Sequence, residues 1–315
     1  MIWLDAAEVR ALLEPDGLRQ AMAAALVDLH QGRASAPARI AAGPEMGLLA
    51  AMPGAAAGML GAKLVSVFPN NPERGLPGHQ ALVALFDADT GAPMAVLEAT
   101  ALTAARTAAV TAAASAALAR RDARVLAILG TGVQAAAHWE AVRRVREFAE
   151  VVVAGRRREQ VRRCAQAWGA RAAESFEEAV GAADVVCACT HASEPIVRGA
   201  WLRPGVHVNS VGIGGCELDR ETIRAGLLAV EASSAFAPFP AGAYELQGED
   251  ADAGIELGAI LAGEHPGRSS AQQITVFKSV GHAVEDVAAA AWLLRRSGRT
   301  HGRMKPDELD PTGAR

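Results

Sequence analysis

The sequence predicts an α/β protein in which a Rossmann-type parallel sheet domain follows an α+β domain. Two observations carry this. From residue 124 onward, short β-branched runs alternate with helical segments, the signature of a parallel sheet with crossover helices. Before that point, strand-like runs follow one another through a hairpin signal and end in one long alanine-rich helix. The boundary is placed near residues 120–124.

Composition sets the frame. A chain of 315 residues has room for one large domain or two ordinary ones. It is 51% hydrophobic but only 4% aromatic, so alanine, valine and leucine must fill the interior, which favours helices packed closely on a sheet over an aromatic-rich barrel. A net charge of −4 argues against a nucleic-acid partner or an anionic membrane surface. Cys164, Cys187, Cys189 and Cys216 form no C-x-x-C pair; buried, reduced thiols in a cytoplasmic protein are expected, with no metal site. The start, "MIWLDAAEVRALL", meets acid at once and lacks a basic region, so no signal peptide is expected. The longest uncharged run, residues 46–62, is broken by Pro53 and several glycines, and no membrane span is expected.

In chain order, "DAAEVRALL" and "GLRQAMAAALVDLHQG" have helical spacing, the second stopping at Gly32. "MGLLAAM" and "GMLGAKLVSVF" read as apolar strand pieces, and "HQALVALFDADTGAPMAVLEA" as two strands around a turn. "TALTAARTAAVTAAASAALARR" has neither glycine nor proline and predicts a long helix whose small side chains pack closely. Then "RVLAILG", "EVVVAG", "DVVCACT", "GVHVNSVG" and "LLAVE" read as strands. Between them "QAAAHWEAVRRVREF", "REQVRRCAQAWG", "FEEAVGAA" and "LDRETIRAG" read as helices. Beyond Glu231 the pattern weakens, until "ITVFKSVGHAVEDVAAAAWLL" gives a strand or turn running into a helix. The polar tail after Arg296 is expected to be disordered.

"AILGTGVQAAAHWEAV" supplies a dinucleotide signature: Gly130 and Gly132 occupy the first two positions of G-x-G-x-x-G/A and Ala135 the third. Those positions need a tight turn, close backbone approach to a pyrophosphate, and a small residue where helix meets strand; the phosphates then rest on the helix N-terminus. The motif alone also fits an ordinary strand–helix corner; inside a run of βαβ units the cofactor reading leads. At the end of the next strand, "VVVAGRRREQ" lacks the acid that holds a ribose 2′-hydroxyl and offers Arg156, Arg157 and Arg158 instead. Guanidinium can pair with a 2′-phosphate, so NADP(H) is expected over NAD(H), with a solvated basic turn as the alternative.

Three cations stand out in the front domain: Arg39 in "APARI", Lys63 in "GMLGAKLVSVF" and Arg106 in "TALTAARTAAV". Lys63 sits on a strand that otherwise looks buried, so a partner anion is implied unless the side chain snorkels at an edge. Arg106 lies one turn after Thr103, a candidate N-cap, which would add its charge to a helix terminus that attracts anions. Its alternative is a structural ion pair with Asp87, Asp89 or Glu98.

Taken together, "GAKLVSVFPNNPERGLPGHQALVALFDADTGAPMAVLEATALTAARTAA", "AILGTGVQAAAHWEA" and "PGRSSAQQITVFKSVGHAVEDVAAAAWL" resemble the ornithine cyclodeaminase/μ-crystallin family over nearly the whole chain. The resemblance implies a homodimer. It implies a substrate-binding and dimerisation domain over 1–120, completed by a returning helix at 282–296, a Rossmann domain over 121–281, and a tail at 297–315. It makes Arg39, Lys63 and Arg106 ligands of a substrate carboxylate. Thr107, Val133, Gln134 and Thr190 would touch the dinucleotide, and Ser279 and Val280 of "FKSVG" would close over its nicotinamide end.

The sequence departs from the cyclodeaminase pattern in the stretch "VGIGGCELD" at 211–219. Gly214 stands where those enzymes have a catalytic aspartate, Ala50 where they have a glutamate, and Gly78 where a threonine helps to hold the cofactor. Glycine and alanine cannot perform the proton transfers of cyclodeamination. The glycine loop, with Val211 and Gly212, then reads as a cofactor cradle. The expected chemistry is a single hydride transfer at the α-carbon of a small imino or amino acid, with Lys63 and His79 as candidate proton donors. The alternatives are a cyclodeaminase with a relocated acid and recycled NAD, or a non-catalytic protein that binds the dinucleotide or a small ligand.

Overall fold

The computed structural model describes residues 1–299; residues 300–315, most of the expected tail, lie outside the described residues. The front of the chain runs β1 (Ile2–Leu4), α1 (Ala6–Leu12), α2 (Pro15–His30), β2 (Ile40–Ala42), β3 (Leu48–Ala56), β4 (Met59–Val67), β5 (His79–Asp87), β6 (Pro93–Glu98) and α3 (Thr100–Leu118). Asp5 and Glu8 close a reciprocal capping box at α1, and Glu14 caps α2 ahead of Pro15, so both helices start where side chains satisfy their free N–H groups. The six strands form one sheet in the order β1-β6-β5-β4-β3-β2, antiparallel except for the β1–β6 pair. The β5–β6 hairpin turns where the Asp87 carboxylate accepts the N–H groups of Asp89 and Thr90.

The second half runs β7 (Val125–Leu129), α4 (Val133–Val142), β8 (Glu150–Ala154), α5 (Arg158–Trp168), β9 (Arg171–Ala172), α6 (Phe176–Ala182), β10 (Val185–Ala188), β11 (His207–Ser210), α7 (Arg220–Ile223), β12 (Leu227–Val230), β13 (Gly254–Glu256), α8 (Leu257–Leu261), β14 (Thr275–Lys278) and α9 (Ala283–Arg296). Its eight strands are all parallel, in the order β13-β12-β14-β11-β10-β7-β8-β9. The strand order reverses at β7, which puts a crevice between the carboxyl ends of β7 and β10, where doubly wound sheets bind ligands. β7, β10, β11 and β14 are buried almost throughout, as a sheet covered on both faces requires.

After β14 the chain returns to the first unit. α9 lies on the inner face of β3, β4 and β5 and beside α2 and α3. Its run Ala288–Ala291 is buried and small, so the helix approaches the sheet closely. α3 is long and apolar enough by composition to cross a bilayer, yet 72% of that stretch is buried inside the protein, between α2, α4 and α9. The region beyond Glu231, where periodicity faded, holds the short β13 and α8. α4 ends at Val142, well short of the expected "RRVREF" continuation.

Candidate active site

The three cations meet at the N-terminus of α9. Lys63 projects from the inner face of β4 and is 2% exposed; its Nζ lies 2.8 Å from Asp286 Oδ2. Arg106, on the second turn of α3 and 4% exposed, donates from Nε to Asp286 Oδ1 at 2.8 Å and from Nη1 to Glu285 at 2.6 Å. Arg39, half-buried just before β2, donates from Nη2 to the carbonyls of Val280 and Gly281, both at 2.7 Å. Gly281 has φ +68°, and a Cβ there would come within 2.8 Å of the Arg106 guanidinium, so the turn from β14 into α9 and both arginines share one wall. A cavity of about 40 Å³ adjoins it, lined by Arg39, Met52, Val280 and His282.

Charge and burial compete in this cluster. Burial drags the Lys63 ammonium down to about 8 against the pull of Asp286, with Arg106 and Arg39 pushing the same way. Burial also opposes the Arg106 charge, but Asp286 and then Glu285 outweigh it and leave its pKa above the ordinary value. Burial pushes the Glu285 carboxyl up to about 8 in spite of Arg106. Asp286 is held below the usual carboxylate range, because Arg106 and Lys63 overcome its burial. Arg39 is lowered by burial first and by Arg106 second, and it has no carboxylate partner among the described residues.

These contacts correct the expectations for Arg106 and Lys63. Thr103 is not an N-cap: α3 begins at Thr100, and the Thr103 hydroxyl donates back to the Ala99 carbonyl. The ion pairs of Arg106 are with Glu285 and Asp286, not with Asp87, Asp89 or Glu98. The anion implied by buried Lys63 is Asp286, a group of the protein itself. Donors remain nonetheless: Arg106 keeps Nη2, Lys63 two of its three N–H groups, and Arg39 Nε and Nη1.

On the other wall, the turn between β7 and α4 fits a dinucleotide pyrophosphate. Gly130 has φ +124°, and a Cβ there would press to 2.7 Å from the Cys189 carbonyl. At Gly132, the N-cap of α4, a Cβ would meet only open space, as close approach of a ligand requires. Val133 is 74% exposed on the first turn, and the Oε1 of Gln134 is buried without a hydrogen-bond partner. Past the end of β8, Arg158 is paired with Glu174, while Arg156 and Arg157 are exposed and make no ion pair among the described residues. Thr107 donates its hydroxyl to the Thr103 carbonyl at 2.8 Å and Ser279 donates its own to Glu231 at 2.5 Å, so each could meet a ligand only as an acceptor. His79 opens β5, exposed, and faces His191 of the β10 loop with ring centroids 5.8 Å apart.

The glycine loop after β11 has an internal cause. A Cβ at Gly212 would meet the Glu217 carboxylate at 2.9 Å, and one at Gly215 would meet the Ala192 carbonyl at 2.4 Å. Gly212 and Gly215 thus make room for the protein's own atoms. Gly214 is exposed and lies against Phe239. Five acidic groups that shape the site escaped the sequence reading: Glu217, Glu231, Glu245, Glu285 and Asp286, all buried. Glu231 accepts the N–H groups of Val280 and Gly281, so it sets the turn that holds Arg39. The strand–helix junction "KSVGHAVED" carries two of these acids at the start of an apolar helix, the one local signal that could have exposed them.

A pyrophosphate-type turn at the switch point of a parallel sheet, in one chain with a buried cation cluster at the start of α9, defines a dinucleotide-dependent oxidoreductase. The chain belongs to the ornithine cyclodeaminase/mu-crystallin family, whose model matches residues 2–299. Ketimine reductase mu-crystallin of Mus musculus is 38% identical over 251 residues, 78% of this chain and 79% of that protein. The Thermococcus litoralis Delta(1)-pyrroline-2-carboxylate reductase, solved in complex with NADH and L-proline, superposes with a TM-score of 0.85 at 32% identity, covering 94% of this chain and 97% of its own. An archaeal alanine dehydrogenase dimer with bound NAD gives a TM-score of 0.83 at 31% identity, with 94% and 96% covered.

Proposed function

We propose that this protein is an NAD(P)H-dependent reductase of small α-imino acids, linear or cyclic, or an amino-acid dehydrogenase working the same C=N/CH–NH couple. The observation that carries it is the cluster in which Arg39 donates to the Val280 and Gly281 carbonyls, Gly281 packs against the Arg106 guanidinium, and Arg106 and Lys63 both pair with Asp286. Its spare N–H donors suit a carboxylate, which fixes the α-carbon beside the crevice. A bound nicotinamide dinucleotide supplies hydride to that carbon. Gly130, Gly132, Val133 and Gln134 would hold the pyrophosphate, with Thr190, Val211 and Gly212 along the rest of the crevice. Val280 contributes its carbonyl to the placement of Arg39. Lys63, still largely protonated at neutral pH, is the group we favour to hold a proton at the substrate. His79 lies at the cleft mouth, where His191 is its nearest ring neighbour.

We assign the carboxylate site and subunit contacts to residues 1–120 with 282–296, and dinucleotide binding to residues 121–281. Free Arg156 and Arg157, with no acid at Ala154 or Gly155, favour NADP(H) over NAD(H). The cytoplasm is the compartment we favour. All four cysteines are free, although Cys164 and Cys216 are only half-buried.

The test is a cofactor-oxidation screen, NADPH against NADH, over linear and cyclic α-imino acids with ammonia measured in parallel. Imine-dependent oxidation without ammonia is expected. Ammonia release from a diamino acid without net cofactor turnover would place the protein with the cyclodeaminases. Arg156→Ala is expected to weaken NADPH about tenfold, the loss of one charged hydrogen-bond pair, and leave NADH nearly unchanged. Equal effects on both would reverse the cofactor assignment.

The partner we assign is a second copy of this chain. On the outer face of the front sheet Leu64 (45% exposed) pairs in register with Leu82 (41%), and Leu60 with Phe86. An antiparallel sheet with one solvated face should alternate apolar with polar there, and this one does not. The double variant Leu64→Glu/Leu82→Glu is expected to halve the mass measured by light scattering; an unchanged mass would exclude this face as the interface.

A further inference from the structure

We propose that Glu217 is a positioning residue for the nicotinamide half of the dinucleotide, because one buried carboxylate fixes both loops that floor that half of the crevice. The inference rests on the dinucleotide reading above. Sheet order gives the place. With the pyrophosphate at the start of α4 and the adenosine half toward β8, where Arg156 and Arg157 stand, the remaining half must cross the ends of β10 and β11. Those ends continue into the segments that start at Cys189 and Val211.

Glu217 belongs to neither end, yet it binds both. One carboxylate oxygen accepts the Thr190 N–H at 2.5 Å and the Thr190 hydroxyl at 2.8 Å. The other accepts the Ser210 hydroxyl at 2.8 Å, the Val211 N–H at 3.1 Å and the Gly212 N–H at 2.8 Å. The side chain is fully buried, so it touches no ligand and must act through these partners. It also sets the face that Thr190 presents: with N–H and hydroxyl both committed, the Thr190 methyl is left toward the Gly130 turn, where a Cβ on Gly130 would lie 3.4 Å from it.

Lys278 and Glu245 fasten the Glu217 segment and its partners in turn. Lys278, fully buried on β14, donates to the Ser210 hydroxyl at 2.8 Å and to the Gly212 carbonyl, and pairs with Glu245 at 2.8 Å. Glu245 accepts the backbone N–H groups of Glu217 and Leu218. The crevice floor is therefore one network of buried charges rather than two independent loops. Buried networks of this kind rigidify when every member is satisfied and fail when one is not.

Glu217→Gln tests this by calorimetry with two probes, NADPH and 2′,5′-ADP, the latter carrying only the adenosine half. The amide nitrogen cannot accept, so one of the two loops loses its acceptor. NADPH affinity is expected to fall about tenfold while 2′,5′-ADP affinity stays within twofold. Ser210→Ala removes one of the five donors and keeps the carboxylate, and it is expected to give the same split at about threefold; it decides the question if Glu217→Gln does not fold. Equal losses for both probes, or none, overturn the positioning role. Wild-type protein that binds neither NADPH nor NADH overturns the dinucleotide reading, and this inference with it.

Discussion

Arg106→Ala is expected to lose about three orders of magnitude or more in kcat/KM and to destabilise the protein by about 3–5 kcal/mol, the cost of leaving buried charge unpaired. The magnitude follows from what Arg106 touches. It contacts both Asp286 and Glu285, which are 1% and 0% exposed, so removing the guanidinium takes a charged partner from Asp286 and the donor from the Glu285 carboxyl, which burial keeps protonated below about 8. Asp286 then keeps only Lys63, and the substrate carboxylate loses the donor on Nη2. Stability and binding are separable through Arg106→Lys, which retains a charge near Asp286 but not the fork that reaches Glu285 as well. That variant should unfold closer to wild type in a thermal melt and still turn over at least a hundredfold more slowly, about 2.7 kcal/mol in the transition state. An Arg106→Ala protein that folds and reduces imino acids at a rate near wild type would remove the carboxylate clamp from the mechanism.

How far the sequence could reach is visible in the same residues. Strand–helix alternation and the Gly130–Ala135 turn announce the parallel sheet because both are local: periodicity and one corner decide them. Lys63 announced a buried charge, since an ammonium inside an apolar strand demands a partner. What that partner is could not be read locally, because Asp286 lies on α9, more than two hundred residues later. The same applies to Glu217, Glu231 and Glu245. Each is a lone acid beside apolar or glycine-rich residues, and only the fold shows that it turns inward onto backbone N–H groups. What keeps Gly212 and Gly215 free of a side chain was hidden for the same reason: the Glu217 carboxylate and the Ala192 carbonyl that a Cβ would meet are brought there only by the fold. A helix start at Thr100 rather than Thr103 was likewise hidden, because Ala99 caps α3 without a side-chain bond.

The second large effect is on pH. kcat/KM is expected to fall about tenfold per pH unit above about 8, where Lys63 loses its proton and the clamp loses a charge. The groups facing Lys63 are Asp286, which pulls its pKa up, and Arg106 and Arg39, which join burial in pushing it down. Lys63→Arg should move this limb to higher pH, because guanidinium stays charged there, whereas ionisation of the substrate itself would leave the limb in place for both proteins. Stability carries its own signature from the neighbouring acid. Glu285 titrates near 8 in the fold against an ordinary 4.5, so the folded protein holds a proton that the unfolded chain gives up across that window. Its contribution is complete below 4.5 and is lost as pH rises through about 8. Lys63 works in the opposite sense but in another window, binding fewer protons when folded between about 8 and 10.5. Buried His138 and His207, lowered by burial to about 4 and about 3, bind fewer protons folded than unfolded and add stability as pH rises to about 6.5. Thermal melts should therefore show the Glu285 decline between about pH 6.5 and pH 8, and Glu285→Gln should flatten it. If the variant loses stability along the same curve as wild type, Glu285 does not carry the proton and the charge count of the clamp has to be redrawn.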